Sequence, residues 1–93
     1  MANNKLIWHG HANFQLVTPN TNLIIDPWFE GNPSACTGSD SCKMTDVILV
    51  THDHADHTGQ VVDIANNTGA QVGAIVGTAQ KLIQEGIPED QII

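Results

Sequence analysis

The sequence predicts an α/β (α+β) fold in which an antiparallel β-meander leads into a βαβαβ run. Three observations predict it. Short apolar stretches separated by turn residues carry the chain as far as Asp26. A continuous apolar run, Val47-Ile48-Leu49-Val50, follows a long polar loop, and two amphipathic segments closed by glycines then alternate with further apolar stretches. The order strand, helix, strand, helix, strand is that of right-handed crossovers with a locally parallel sheet.

Taken in order, Lys5 to His9 and Ala12 to Thr18 read as two strands joined at Gly10, with Phe14, Leu16 and Thr18 on one face. Pro19-Asn20 supplies turn chemistry, and Asn22 to Asp26 forms a third strand closing on Asp26-Pro27. Pro27 to Thr45 is rich in Gly, Ser, Asn and Pro without an apolar period, and a loop this long is expected to rim a site. It holds Cys36 and Cys42, which read as reduced loop thiols, with a local disulfide or an accessory metal contact as alternatives. Asp46 to Thr51 is a strand covered on both faces. Thr58-Gly59 turns into a helix that runs to Asn67 with Gly69 beyond its end, Gly59 allowing close backbone packing. Gln71 to Val76 is the next strand. Thr78 then caps a helix over Ala79 to Glu85, Gly86 ends it, and Pro88-Glu89-Asp90 turns into a last strand at Gln91-Ile92-Ile93.

Composition narrows the function. The chain of 93 residues is 41% apolar and 14% charged, which suits one small packed domain rather than a disordered segment. Ten acidic residues against three basic ones give a net charge of -7, with no Lys/Arg cluster to neutralise a phosphate backbone, so nucleic acid is not an expected partner. Nor is a membrane, because no apolar run approaches the roughly 20 residues that span a bilayer. Met1 to Lys5 lacks the basic-then-apolar order of a secretion signal, which makes cytoplasmic residence the default expectation.

Chemistry concentrates in Thr51-His52-Asp53-His54-Ala55-Asp56-His57, which holds three of the five histidines. In an extended segment residues two apart point the same way, so His52 and His54 can converge on one ion. Asp56 and His57, one bend further on, can face a second. Imidazole nitrogen and carboxylate oxygen are donors that zinc, iron and manganese all accept. The cluster also lies at the carboxyl end of a buried strand, where open α/β sheets place their ligands. Asp53 should point away by alternation. His9 reads as structural, and Trp28 and Phe29 either line the pocket or pack in the core.

THDHADH has the HxHxDH form that marks the metallo-β-lactamase superfamily, and LIWHGHANF, NLIIDPW and DVILVTHDHADHTG resemble the first half of that fold. The segments look most like the branch of predicted zinc-dependent hydrolases related to ascorbate-6-phosphate lactonase. The resemblance implies the amino-terminal half of an αββα sandwich, spanning residues 1–93, and a chain that continues past Ile93. It implies His52 and His54 as ligands of a first metal and Asp56 and His57 as ligands of a second. The metal would be Zn2+, with Mn2+ or Fe2+ as alternatives. Asp56 would be the catalytic residue that orients a metal-activated hydroxide, and Asp26 would match a buried aspartate that hydrogen-bonds near the metal loop, its other reading being a strand-end turn residue before Pro27. His11, within Gly10-His11-Ala12, reads either as a contact behind the ligands or with substrate, or as a plain β-turn histidine. The family completes both metal shells with later residues, and this chain has no histidine after His57. The expected activity is hydrolysis of a small ester, lactone or phosphodiester. The alternative is a metal-binding half-domain that turns nothing over and pairs as a homo-oligomer through its exposed sheet face.

Overall fold

The computed structural model describes residues 4–34 and 44–93. Five strands, β1 (Lys5–Trp8), β2 (Phe14–Val17), β3 (Asn22–Ile25), β4 (Val47–Leu49) and β5 (Gln71–Gly73), form one sheet in sequence order. The first two pairings are antiparallel and the last two parallel, as the meander and the crossovers require. Three helices follow β4: α1 (Ala55–Thr58), α2 (Val61–Thr68) and α3 (Val76–Gln84). Among the described residues no helix is long and apolar enough to cross a membrane.

Register sorts the side chains into two faces. Ile7, Gln15, Ile24, Ile48 and Val72 lie in one row across the sheet. Ile24, Ile48 and Val72 of that row are fully buried with Val61, Ile64 and Ala65 of α2, Leu82 of α3 and Ile87. Each such isoleucine contributes about 1.5–3 kcal/mol by leaving water. Gln15, the polar member of the row, is satisfied: it pairs with His9 Nε2 at 2.8 Å and donates to Asn22 Oδ1 at 3.1 Å. The opposite face carries the rows Leu6-Leu16-Leu23-Val47 and Trp8-Phe14-Ile25-Leu49. Nothing described covers its outer part, where Leu6 is 68% and Trp8 59% exposed.

The structure departs from the sequence expectations in several elements. The histidine motif contains a separate helical turn, α1, before α2 begins at Val61. Strand β5 stops at Gly73 rather than Val76, because the chain turns into α3 early. That helix starts at Val76 behind Ile75, not at Ala79 behind Thr78, and Thr78 is buried in its first turn instead of capping it. The expected last strand is a 3-10 turn, Glu89–Gln91, followed by a single parallel bridge from Ile92 to Val72. Gly69 ends α2 as anticipated, at φ 73 with its N–H on the Ala65 carbonyl. Cys36 and Cys42 lie outside the described residues, as do the other residues of the expected site-rim loop between positions 35 and 43.

Candidate metal centre

Strands β1, β3 and β4 all run toward one edge of the sheet, so the turn after β1, the corner after β3 and the motif after β4 meet there. The corner is Asp26, which adopts φ 47 and directs a fully buried carboxyl under the motif. Gly59 packs against the same corner. A Cβ on it would lie 2.4 Å from Trp28 Cα and 2.5 Å from the Pro27 carbonyl, so only glycine lets α1 and α2 approach this closely. Gln60 completes the clamp: its side-chain oxygen accepts the N–H groups of Phe29 and Glu30 at 2.6 and 3.1 Å.

Asp26 organises the inner half of the site. Its Oδ1 accepts the Thr51 backbone N–H at 2.7 Å, and its Oδ2 accepts the Thr51 hydroxyl at 2.6 Å and His57 Nδ1 at 2.8 Å. A carboxylate only accepts, so His57 carries its proton on Nδ1 and presents a lone pair at Nε2. The same logic passes through Thr51. Having given its one proton to Asp26, the Thr51 hydroxyl can only accept from His52 Nδ1, 3.0 Å away, which leaves His52 Nε2 free as well. Two imidazoles are thereby set in the same tautomer, each with an open lone pair at Nε2.

The motif residues come together around these two rings. His52 lies against His57 with ring centroids 3.7 Å apart and planes tilted by 46°, and His54 lies edge-on to His52 at 4.7 Å. His52 and His54 sit on a bend rather than a strand, since the His54 N–H returns to the His52 carbonyl at 3.1 Å. Helix α1 brings His57 one turn past His54, which keeps both on one side. Asp53, on the same bend, meets Lys81 of α3 at 3.1 Å.

Asp56 occupies the outer half, with 45% of its side chain exposed. Its Oδ1 lies 3.8 Å from His57 Nε2, and its Oδ2 contacts His11 Nε2 at 3.0 Å. Desolvation works against its charge, but His57, the backbone N–H of Asp56 and His11 together outweigh it and hold the carboxyl below its ordinary value. His11, Asp56 and His57 offer ligand atoms within 4.8 Å of one another. His11 therefore touches Asp56 directly from the turn after β1. His9 is buried on Gln15 and edge-on to Phe29, which is core; Trp28 is half-buried with its ring edge-on to His11 at 5.5 Å. Sequence reasoning missed Thr51 and Gln60, neither of which stands in any recognisable spacing.

Residues 21–93 match the family model described as the Beta-lactamase superfamily domain. The chain belongs to the metallo-β-lactamase superfamily. It is 47% identical over 89 residues to a UPF0173 metal-dependent hydrolase of Nitratidesulfovibrio vulgaris strain DP4, covering 96% of this chain and 37% of that protein. With a UPF0173 metal-dependent hydrolase of Lawsonia intracellularis it shares 46% over 91 residues, covering 98% and 40%. Among solved structures it is similar to Igni18, a metallo hydrolase from Ignicoccus hospitalis, with a TM-score of 0.82, 32% identity, and coverage of 97% of this chain and 38% of that one. The chain thus spans about two-fifths of the length of these superfamily members, and its mixed sheet with helices matches a fragment of their fold.

Proposed function

We propose that the chain carries the metal-binding motif of a hydrolase that acts on a small ester, lactone or phosphodiester. The observation that carries this reading is the pair of freed Nε2 atoms, on His52 and His57, set by one buried carboxyl through Thr51 and by direct contact. A polar loop holding histidines by chance needs no such arrangement, whereas ligand imidazoles commonly have their other nitrogen fixed in this way. The family likeness supports the same reading.

On this proposal His52 and His54 hold one divalent ion and Asp56 and His57 a second. Zinc is the first candidate, and Mn2+ or Fe2+ also suits the nitrogen and oxygen donors. A bound divalent ion supplies Lewis acidity, polarising an electrophilic oxygen and acidifying water toward a pKa of about 7. His52 and His57 hold position with Nδ1 protons kept on Thr51 and Asp26. Asp56 is the catalytic residue, and its lowered carboxyl suits it to orient water by accepting a hydrogen bond rather than to store a proton. The charge of -7 favours a small substrate over RNA. Metal analysis of the purified protein beside the His52→Ala/His54→Ala variant tests the assignment. The variant should lose bound zinc, and equal metal content in the two proteins would refute it. Hydrolysis of p-nitrophenyl esters, a lactone and bis-p-nitrophenyl phosphate by the metal-loaded protein then sorts the substrate classes.

The uncovered apolar face favours a second reading, a metal-binding half-domain that pairs with a copy of itself and turns nothing over. Sedimentation at several concentrations separates the two. A metal-loaded dimer without turnover, made monomeric by Leu16→Lys, supports pairing, and a monomer at all concentrations removes it.

A further inference from the structure

The turn between β1 and β2 is built at some cost to hold one side chain. His11 adopts φ 54, a left-handed conformation that few side chains tolerate, immediately after Gly10 at φ 103. Three neighbours fix it there. The Trp8 indole N–H donates to the His11 carbonyl at 2.9 Å, the Asn32 side-chain amide donates to the His9 and Gly10 carbonyls at 3.3 and 3.2 Å, and Asn13 closes the turn with its N–H on Gly10. A Cβ on Gly10 would collide with Asn32 and Ser34, so the turn is seated against the chain after β3. Strain retained at a site, with the surrounding structure enforcing it, commonly serves that site.

The structure assigns His11 as a positioning residue for Asp56, holding the outer carboxylate oxygen so that the inner one faces the ion position beside His57. The two oxygens are already divided in this way, Oδ2 at 3.0 Å from His11 Nε2 and Oδ1 at 3.8 Å from His57 Nε2. Because the carboxylate accepts, His11 donates from Nε2, and that nitrogen has no lone pair left for a metal while the bond stands. His11 thus acts through Asp56. His57 and Trp28 flank its ring at 4.9 and 5.5 Å and restrict its swing. The inference rests on the metal-site reading of Asp56 and His57 and adds a residue to it from the turn after β1.

The test separates the bond from the turn. His11→Gly relieves the backbone strain and removes the donor, so its melting temperature should equal or exceed that of the wild type while zinc affinity falls about tenfold to a hundredfold. His11→Gln, which restores a donor at similar reach, should recover part of the loss. Since His11 works through Asp56, the His11→Gly/Asp56→Asn double variant should bind zinc no more weakly than Asp56→Asn alone. Nitrogen-resolved NMR of the metal-free protein should show the His11 proton on Nε2. Unchanged zinc affinity in His11→Gly overturns the assignment, as do fully additive losses, which would make His11 an independent ligand. Absence of zinc binding by the wild type is a different result: it removes the metal-site reading, and the assignment with it.

Discussion

The site has two supports, and they differ in everything except purpose. Asp26 is fully buried, satisfies three donors and reaches His57 and, through Thr51, His52. The His11 and Asp56 pair stands 43% and 45% exposed and rests on one contact. Both Asp26 and His11 adopt left-handed backbone, so each position carries strain that ordinary turns avoid. The difference teaches that the inner support is fixed by folding itself, since its carboxyl is fully buried and finds its partners only in the fold, while the outer one is held in competition with water. Fold stability should therefore depend on the first and hardly on the second, and metal affinity on both.

Asp26→Ala should break the inner support with the largest effect. Leaving the Thr51 N–H, the Thr51 hydroxyl and His57 Nδ1 without their acceptor, at a position alanine does not favour, should cost roughly 3–5 kcal/mol in urea unfolding. Asp26→Asn refines the test because asparagine tolerates the left-handed backbone and keeps one acceptor oxygen. Its amide nitrogen would face donors, so zinc affinity should fall by more than stability does. A loss below about 1 kcal/mol for the alanine variant would show that the carboxyl organises nothing.

Gly59→Ala comes next. The added Cβ would meet backbone atoms of Pro27 and Trp28 that cannot swing aside, at φ 44, and should cost about 1–3 kcal/mol. Gly69→Ala is its control: φ is 73 with nothing within 4 Å, so conformational strain acts alone, at about 1 kcal/mol. Equal losses in the two variants would mean that the corner yields, and that close packing there is not what seats the motif.

The sequence was informative where one physical requirement leaves a periodic or crowded mark. The run Val47 to Val50 announces a central strand because only a covered strand stays apolar without interruption. The histidine cluster marks a candidate ligand site because few other environments gather imidazoles so densely. Gly59 was also readable as a close approach, and the structure shows what it approaches. What escaped has no local signature. Thr51 relays Asp26 to His52 through a hydroxyl whose role depends on a residue 25 positions earlier. The α1 turn is too short to show a helical period, and Thr78 resembles a cap until its burial is seen. Part of the bare face was legible as Phe14, Leu16 and Thr18 in alternation, but its exposure depends on what packs beside the sheet.

The smallest effect belongs to the outer support and is a matter of pH. The Asp56 carboxyl is held below its ordinary value in the folded chain, so folding favours its ionised form. Such a group contributes stability that is fully present above the unfolded carboxylate range, about pH 4, and disappears as pH falls through the lower folded value. Urea midpoints of the metal-free wild type and Asp56→Asn should therefore keep a constant separation from pH 7 to about 5 and draw together only in stronger acid. Convergence between pH 7 and 5 would mean that folding raises the carboxyl instead, with desolvation outweighing His57 and His11. The separation should be slight, because the side chain lies in water that screens its neighbours. A wide separation would place Asp56 with Asp26 among the groups that hold the fold, and the division between inner and outer supports would fail.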